Sequence, residues 1–397
     1  MDSKHYKAID RYYTTAKYYI GINFGCEYTS VSLFPGKNGE LISHMFRIPT
    51  GFYCNGDDYT LANSDCVIGE FQMCRYHTGL PSKLTPENKK ALKIFFSLIL
   101  NKIFAQCTTL KFNHTTGQAN FKICVTYPSD WERMFFYFSD QYRQFLQETV
   151  GLFPFACVPE ASAINSSLID TYSIFDSKSQ PHLILDINSY TVDFSVFRNT
   201  SIIHEGCMGY NVAFDEIIDK IWQYGYTESD NSEENIANMA YVENQREILH
   251  LGGAQSKIYQ AIYSELDGYL TKLGLGNCCP FIVDVRFREL IPNTESKTKI
   301  AFSIYIEYSE IIKIISDYIE RLRKALMNGM RQLQSYGISP KQIFLVGDAI
   351  KYKIISNMIK DEFPEQIVYI PNCLDYVISD GAALFLHRLD NKIETKG

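Results

Sequence analysis

No stretch of the 397-residue chain is apolar over the roughly 20 residues that cross a bilayer. The longest apolar run near the front, residues 94–104, is interrupted by Ser97, Asn101 and Lys102 and reads as a buried helix. The N-terminal residues MDSKHYKAIDRYYTTAKYY mix charge and tyrosine without the continuous apolar core of a secretory leader, which points to a cytoplasmic protein. Positive charge is also short. With 38 Lys and Arg against 45 Asp and Glu the net charge is −7, and the cations are scattered, so the footprint of a nucleic-acid binder is missing. Neither a nucleic acid nor a membrane is expected as a partner. The eleven cysteines have neither the even count nor the spacing of a disulfide framework, and the adjacent Cys278 and Cys279 match no zinc pattern. Reduced thiols are the simplest reading. His204, His250 and His387 show no metal-ligand spacing.

What the chain does have is enough apolar material, 46% of its residues, for two separate cores. Residues 1–17 are a polar, tyrosine-rich extension. From Tyr18, YYIGINFG and TSVSLF are two β-rich runs joined by a Gly-containing turn, the pattern of a hairpin. A helix is predicted over 86–107, a strand over 121–128, and a second helix from Ser129, whose hydroxyl suits an N-cap, to about Val150. The polar residues 176–182 mark a lobe boundary, after which LILDINSYTVDFSVF repeats strand, turn, strand. The repeat suggests an internal duplication. Lobe I is thus placed at 18–180, with an inserted subdomain near 38–118. Lobe II runs over 181–390, with an insert near 228–306, and 391–397 form a tail. Further helices are predicted at Ala254–Leu273, Ser309 to about Tyr336, Ile350–Ile359 and Ala382–Leu389, with strands at IFLVGDA and QIVYI between them. Strands alternating with helices make this an α/β fold with two mixed sheets.

The segments IGINFGCEYTSVSLF (20–34), CVIGE (66–70), ICVTYPSDWER (123–133), LILDINSYTVDFSVF (183–197) and IFLVGDAIKYKIISNMI with DGAALF (343–385) come in a telling order and spacing. That series resembles the nucleotide-binding domain of the heat-shock-70 chaperones, within the wider actin and sugar-kinase ATPase superfamily. The resemblance spans about residues 18–390 and implies a two-lobed fold with ATP or ADP and Mg²⁺ in a central cleft. One hairpin from each lobe would present backbone N–H groups to the phosphates. Carboxylates at the ends of the first strands would hold Mg²⁺ through water. A third turn, Gly347-Asp348-Ala349, would lie against the nucleoside.

By that resemblance, Gly21, Asn23, Gly25, Cys26, Glu27 and Tyr28 belong to the first phosphate hairpin, and Ser189, Tyr190 and Thr191 to the second. Gly209, Lys257, Gly347, Asp348 and Lys351 are further nucleotide contacts. Asp186 and Asp193 are the Mg²⁺ residues, and Asp193 and Glu160 the catalytic pair. Asn23 is expected to face Asp193 across the cleft. Several positions depart from the family. Asn23 stands where the family has Asp, Met73 where it has a phosphate-binding Lys, and Val158 where it has the Glu that orients water. Asn188, Ser189 and Tyr190 replace three glycines. Three functions remain open: a nucleotide-dependent switch with weak or absent hydrolysis, a pseudo-ATPase scaffold that binds protein partners, and a small-molecule kinase of the same fold. The chain stops at NKIETKG without the family's client-binding domain, so no unaided chaperone activity is expected.

Overall fold

The computed structural model describes residues 16–25, 28–36, 41–55, 58–61, 70–73, 86–113, 115–116, 118–129, 142–148, 153, 155–172, 180–188, 191–212, 214–228, 237, 240, 254–273, 276, 278–290 and 297–394. Its first half opens with β1 (Tyr18–Phe24), β2 (Tyr28–Phe34) and β3 (Ser43–Pro49). A small three-stranded sheet of β4 (Gly51–Asn55), β5 (Asp58–Leu61) and β6 (Glu70–Met73) follows, then α1 (Pro86–Gln106), β7 (Phe121–Tyr127), β8 (Phe155–Pro159) and α2 (Glu160–Tyr172). The second half runs β9 (His182–Ile187), β10 (Val192–Arg198), β11 (Ser201–Tyr210), α3 (Asp215–Glu228), α4 (Ala254–Leu273), β12 (Phe281–Leu290) and β13 (Lys297–Ile306). It continues through α5 (Tyr308–Ser335), β14 (Gln342–Val346), a 3₁₀ turn over Asp348–Lys351, α6 (Lys353–Glu362), β15 (Ile367–Tyr369) and α7 (Val377–Glu394).

The two main sheets are built alike. The first has strand order β3-β2-β1-β7-β8 and the second β11-β10-β9-β14-β15. In each, the first strand pairs antiparallel with the second and parallel with the fourth, and the fourth pairs parallel with the fifth. The duplication expected from the sequence is therefore present strand for strand.

Alternation along β1 explains why it is buried on both faces. Ile20, Ile22 and Phe24 join Phe95, Phe96, Ile99 and Ile103 of α1 in one core. Tyr19 points the other way and packs with Ala382, Ala383 and Leu386 of α7. The second sheet repeats this, with Leu183, Leu185 and Ile187 in the large core beneath α5. Its opposite face sets Ile184, Phe344 and Val346 against Ala161, Ile164 and Leu168 of α2.

The covering helices are exchanged. Helix α2 follows the first sheet in the chain and lies on the second, whereas α7 follows the second sheet and lies on β1, β2 and β7 of the first. The two helices pack on each other between the sheets. Gly381 makes this possible, since a Cβ there would lie 1.7 Å from the carbonyl oxygen of Ala163. Polar pins fix α7. Lys122 Nζ donates to both carboxylate oxygens of Asp390 at 2.6 and 2.7 Å, and Tyr19 OH donates to the same group at 3.1 Å. Ser32 Oγ and His44 Nε2 both engage the Asp380 carboxylate, and His44 stacks on Tyr376 with ring centroids 4.1 Å apart.

Some boundaries differ from the sequence reading. Helix α7 begins at Val377 rather than Ala382, and the segment predicted as helix from Ile350 divides into a 3₁₀ turn and α6. Ser129 caps a different helix from the one expected: its hydroxyl accepts the backbone N–H of Ala161, at the start of α2, at 2.8 Å. Of the helix predicted over 129–150, residues 142–148 are helical and 130–141 lie outside the described residues.

Candidate functional site

The β1–β2 and β9–β10 hairpins end in turns of equal length, closed by equivalent bonds. Gly25 N–H donates to the Tyr28 carbonyl at 3.2 Å, and Asn188 N–H to the Thr191 carbonyl at 2.9 Å. The two residues inside each turn, Cys26 and Glu27 in one and Ser189 and Tyr190 in the other, lie outside the described residues. The first turn is braced from β4's approach: Thr50 Oγ1 donates to the Gly25 carbonyl at 2.8 Å and meets Thr29 Oγ1 at 2.9 Å.

Just below the turns, strand register aligns three residues across each sheet. In the first sheet Asn23 pairs with Ser30, and Ser30 with Arg47. In the second Asp186 pairs with Asp193, and Asp193 with Gly209. Directly paired residues share a face, and this is the inner face in both sheets. The duplication therefore matches Asn23 with Asp186, Ser30 with Asp193 and Arg47 with Gly209. One row is neutral and cationic; the other carries two carboxylates.

Each row is wired locally. Asn23 Oδ1 accepts from Thr126 Oγ1 at 3.0 Å, and Thr191 Oγ1 donates to Asp193 Oδ2 at 2.7 Å. At Gly209 a Cβ would stand 2.6 Å from Asp193 Oδ1, so the glycine leaves the Asp193 carboxylate its present place. Asp186 is buried, with Oδ1 lacking a hydrogen-bond partner among the described residues. Burial drives its carboxyl up to about 7; the Asn188 side chain opposes the rise by hydrogen bonding to it, and Asp348 adds to it.

The turn after β14 closes the arrangement. Gly347 has φ +97°, and a Cβ on it would lie 2.3 Å from the Ile187 carbonyl oxygen and 2.6 Å from Asp186 Oδ1. Only glycine fits this approach. The next residue, Asp348, accepts a hydrogen bond from Arg47 Nη2 of the opposite sheet at 2.8 Å. Arg47 Nε also lies 3.4 Å from Asp375 Oδ1, and its guanidinium carbon is 3.7 Å from the centre of the Tyr28 ring. Farther out, Lys351 Nζ pairs with Asp267 Oδ1 at 2.9 Å and contacts Tyr263 OH at 3.3 Å, while Tyr352 OH donates to Asp267 at 3.0 Å.

The remaining expected site residues are dispersed. Gly21 is buried below the turn, where a Cβ would meet the Ser379 carbonyl oxygen at 1.8 Å; the seam with α7 accounts for it. Glu160 is the first residue of α2 and half-buried, next to the buried Val158–Pro159 end of β8. Lys257 sits on α4 and Met73 pairs with Gly51 at the end of β6, with both side chains outside the described residues. Arg47 was not singled out by the sequence reading, although it stands among residues that were.

No family model matches this chain, and neither does any curated protein. Among solved structures it resembles an ADP-bound MreB5 of Spiroplasma citri, with a TM-score of 0.56 and 13% identity over 96% of this chain and 99% of that one. The fold is actin-like. The match covers almost the whole of both chains. At 13% identity the likeness shows the fold alone and singles out no family. Among the described residues no helix is long and apolar enough to cross a membrane.

Proposed function

We propose that this chain binds ATP or ADP between its lobes and changes conformation with the bound nucleotide, hydrolysing ATP slowly or not at all. One observation carries the reading: two hairpins closed by the same bond flank a glycine turn pressed onto a buried carboxylate that has an unpartnered oxygen. Backbone turns of this kind suit phosphate oxygens, and a positive-φ glycine allows close approach of a flat nucleoside. The neighbour's bound ADP agrees with this use of the fold.

The residues also fit Mg²⁺. Asp186 and Asp193 sit side by side at strand ends, and a hard cation would satisfy the orphaned Asp186 oxygen directly or through water. When bound, the ion would neutralise phosphate charge. Asp186, Asp193 and Asn188 would orient its hydration shell, Thr191 would hold Asp193 in place, and Gly347 would position the nucleoside. Weak turnover follows from the first row, because Asn23 offers an amide where Asp186 offers a carboxylate, and catalysis of phosphoryl transfer depends on placed charge.

Asn23 also favours a second reading, a scaffold that keeps the two-lobed shape to bind protein partners and has given up nucleotide. Thermal unfolding with MgADP and MgATP separates the two. A ligand at 100 times its Kd adds about 2.7 kcal/mol to the native state, so a clear rise in Tm is expected with either nucleotide. No rise with either leaves the scaffold. Phosphate release should stay near background, and Asp193→Ala should abolish whatever remains. Brisk release by the unaltered chain would refute the weak-turnover claim.

A further inference from the structure

The chain has Met73 where the resemblance leads one to expect the cation that meets the terminal phosphate, yet a cation on a different strand, Arg47, reaches across to Asp348 beside the glycine turn of the second sheet. We propose that Arg47 is the phosphate-binding cation of this cleft, held by Asp348 and Asp375 until the phosphate of a bound nucleotide takes their place; this rests on the nucleotide reading above.

Position is the first support. Arg47 belongs to the inner-face row Asn23–Ser30–Arg47, two residue pairs below the Gly25–Tyr28 pair of the first turn, and its guanidinium lies on Tyr28, whose carbonyl closes that turn. From there it spans to Asp348, the residue after the nucleoside glycine. A nucleotide between hairpin and glycine turn would run past this guanidinium. The matching residue of the second row is Gly209, where Asp193 occupies the space. The two rows therefore divide the work: carboxylates for a metal on one side, a cation for phosphate on the other.

Charge balance is the second. Asp186, Asp193, Asp348 and Asp375 gather around the cleft, and a polyanion entering it needs a cation to offset them. Among the described residues two cations bond to this neighbourhood, Arg47 and Lys351. Lys351 is engaged by Asp267 and Tyr263 on the outer side of the glycine turn.

Exchangeability is the third. The Asp348 and Asp375 side chains are 32% and 55% exposed against 20% for Arg47, so solvent or an incoming anion can reach both carboxylates while the cation stays largely covered. A phosphate carries more charge than either acid and suits the planar two-edged donor of arginine. The stack on Tyr28 keeps that donor in place while its partners change.

Direct titration of the full chain with MgADP, MgATP and adenosine tests this. Arg47→Ala should weaken both nucleotides about 10- to 100-fold, the scale of a charge-assisted hydrogen bond, and leave adenosine, which has no phosphate, unchanged. Arg47→Lys should recover part of the loss. Asp348→Asn removes the competing carboxylate and should tighten nucleotide binding severalfold. Arg47→Ala binding nucleotide like the unaltered chain would overturn the assignment. So would equal weakening of adenosine, or an Asp348→Asn variant that binds no tighter, which would mark the pair as a latch holding the lobes and nothing more. If Arg47→Ala does not fold, Asp348→Asn still decides. Failure of the unaltered chain to bind any nucleotide would instead overturn the nucleotide reading, and this assignment with it.

Discussion

Asp186 and His182 lie four residues apart on one strand, and their burial acts on stability in opposite senses. The Asp186 carboxyl is lifted by burial to about 7 from an ordinary 3.8, so the native state holds its proton more tightly than the unfolded chain does. Its contribution is complete below pH 4 and disappears as pH rises through 7. His182, which meets the Asn165 side-chain oxygen at 2.8 Å and lies between Phe197 and Phe344, is lowered by burial to about 4 from 6.5. Its contribution is complete above pH 6.5 and fades as pH falls through 4. Between these limits the two slopes oppose, and the unaltered chain should show a shallow profile. Asp186→Asn should stabilise the protein at pH 8 by up to about 4 kcal/mol and leave it unchanged near pH 4. Urea melts across that range check it; equal shifts at both ends would show that the carboxyl does not titrate as stated.

The resemblance singled out Asp186 and Asp193 in the repeated hairpin and Gly347 in the turn after a later strand, because each stands in a segment that carries it. Arg47 was invisible for a physical reason. Its place depends on the register of β3 against β2, past an irregularity between Val31 and Ser32. Composition does not encode such a register. Gly21 shows the same limit: spacing relates it to the hairpin, but its neighbour in space is Ser379, some 350 positions along the chain and beyond the reach of any local pattern.

At the level of elements, the sequence made the hairpins legible through alternation and the long helices through their apolar stripe, α5 most clearly. It did not reveal which sheet each helix covers. That exchange depends on close helix approach, and glycine placement offers a test. A methyl on Gly381 would drive into the Ala163 backbone, and one on Gly21 into the Ser379 backbone. Either alanine substitution should cost several kcal/mol, at the upper end of what overpacking costs, because backbone rather than a mobile side chain is in the way. Gly268, on α4, has nothing within 4 Å of the same methyl. Gly268→Ala should therefore be neutral or stabilise by about 0.5–1 kcal/mol. Chemical denaturation of the three variants is the measurement, and a tolerated Gly381→Ala would mean that the helices sit farther apart than described.

For the whole molecule, duplication built two similar sheets and divergence gave them unlike charge: Asn, Ser and Arg in one inner row, Asp, Asp and Gly in the other. A symmetric ancestor need not have distinguished its two halves, but this chain does. On the proposed reading a bound nucleotide would meet a cationic row from one sheet and an anionic row from the other, the pairing that suits a polyphosphate accompanied by its metal.

The crossed helices set an order of events during synthesis. The first sheet is assembled from residues 18–159, yet the helix that seals its inner face, together with Asp380 and Asp390 that pin it, comes from 377–394. While the ribosome makes the intervening two hundred residues, the inner side of that sheet, with Tyr19, Lys122 and Cys124, has no native cover. A nascent chain halted before Val377 should be cut readily by protease within β1 and β7, and one released after Glu394 should resist. The first sheet should therefore reach its protected, native state only after residues 377–394 have been made.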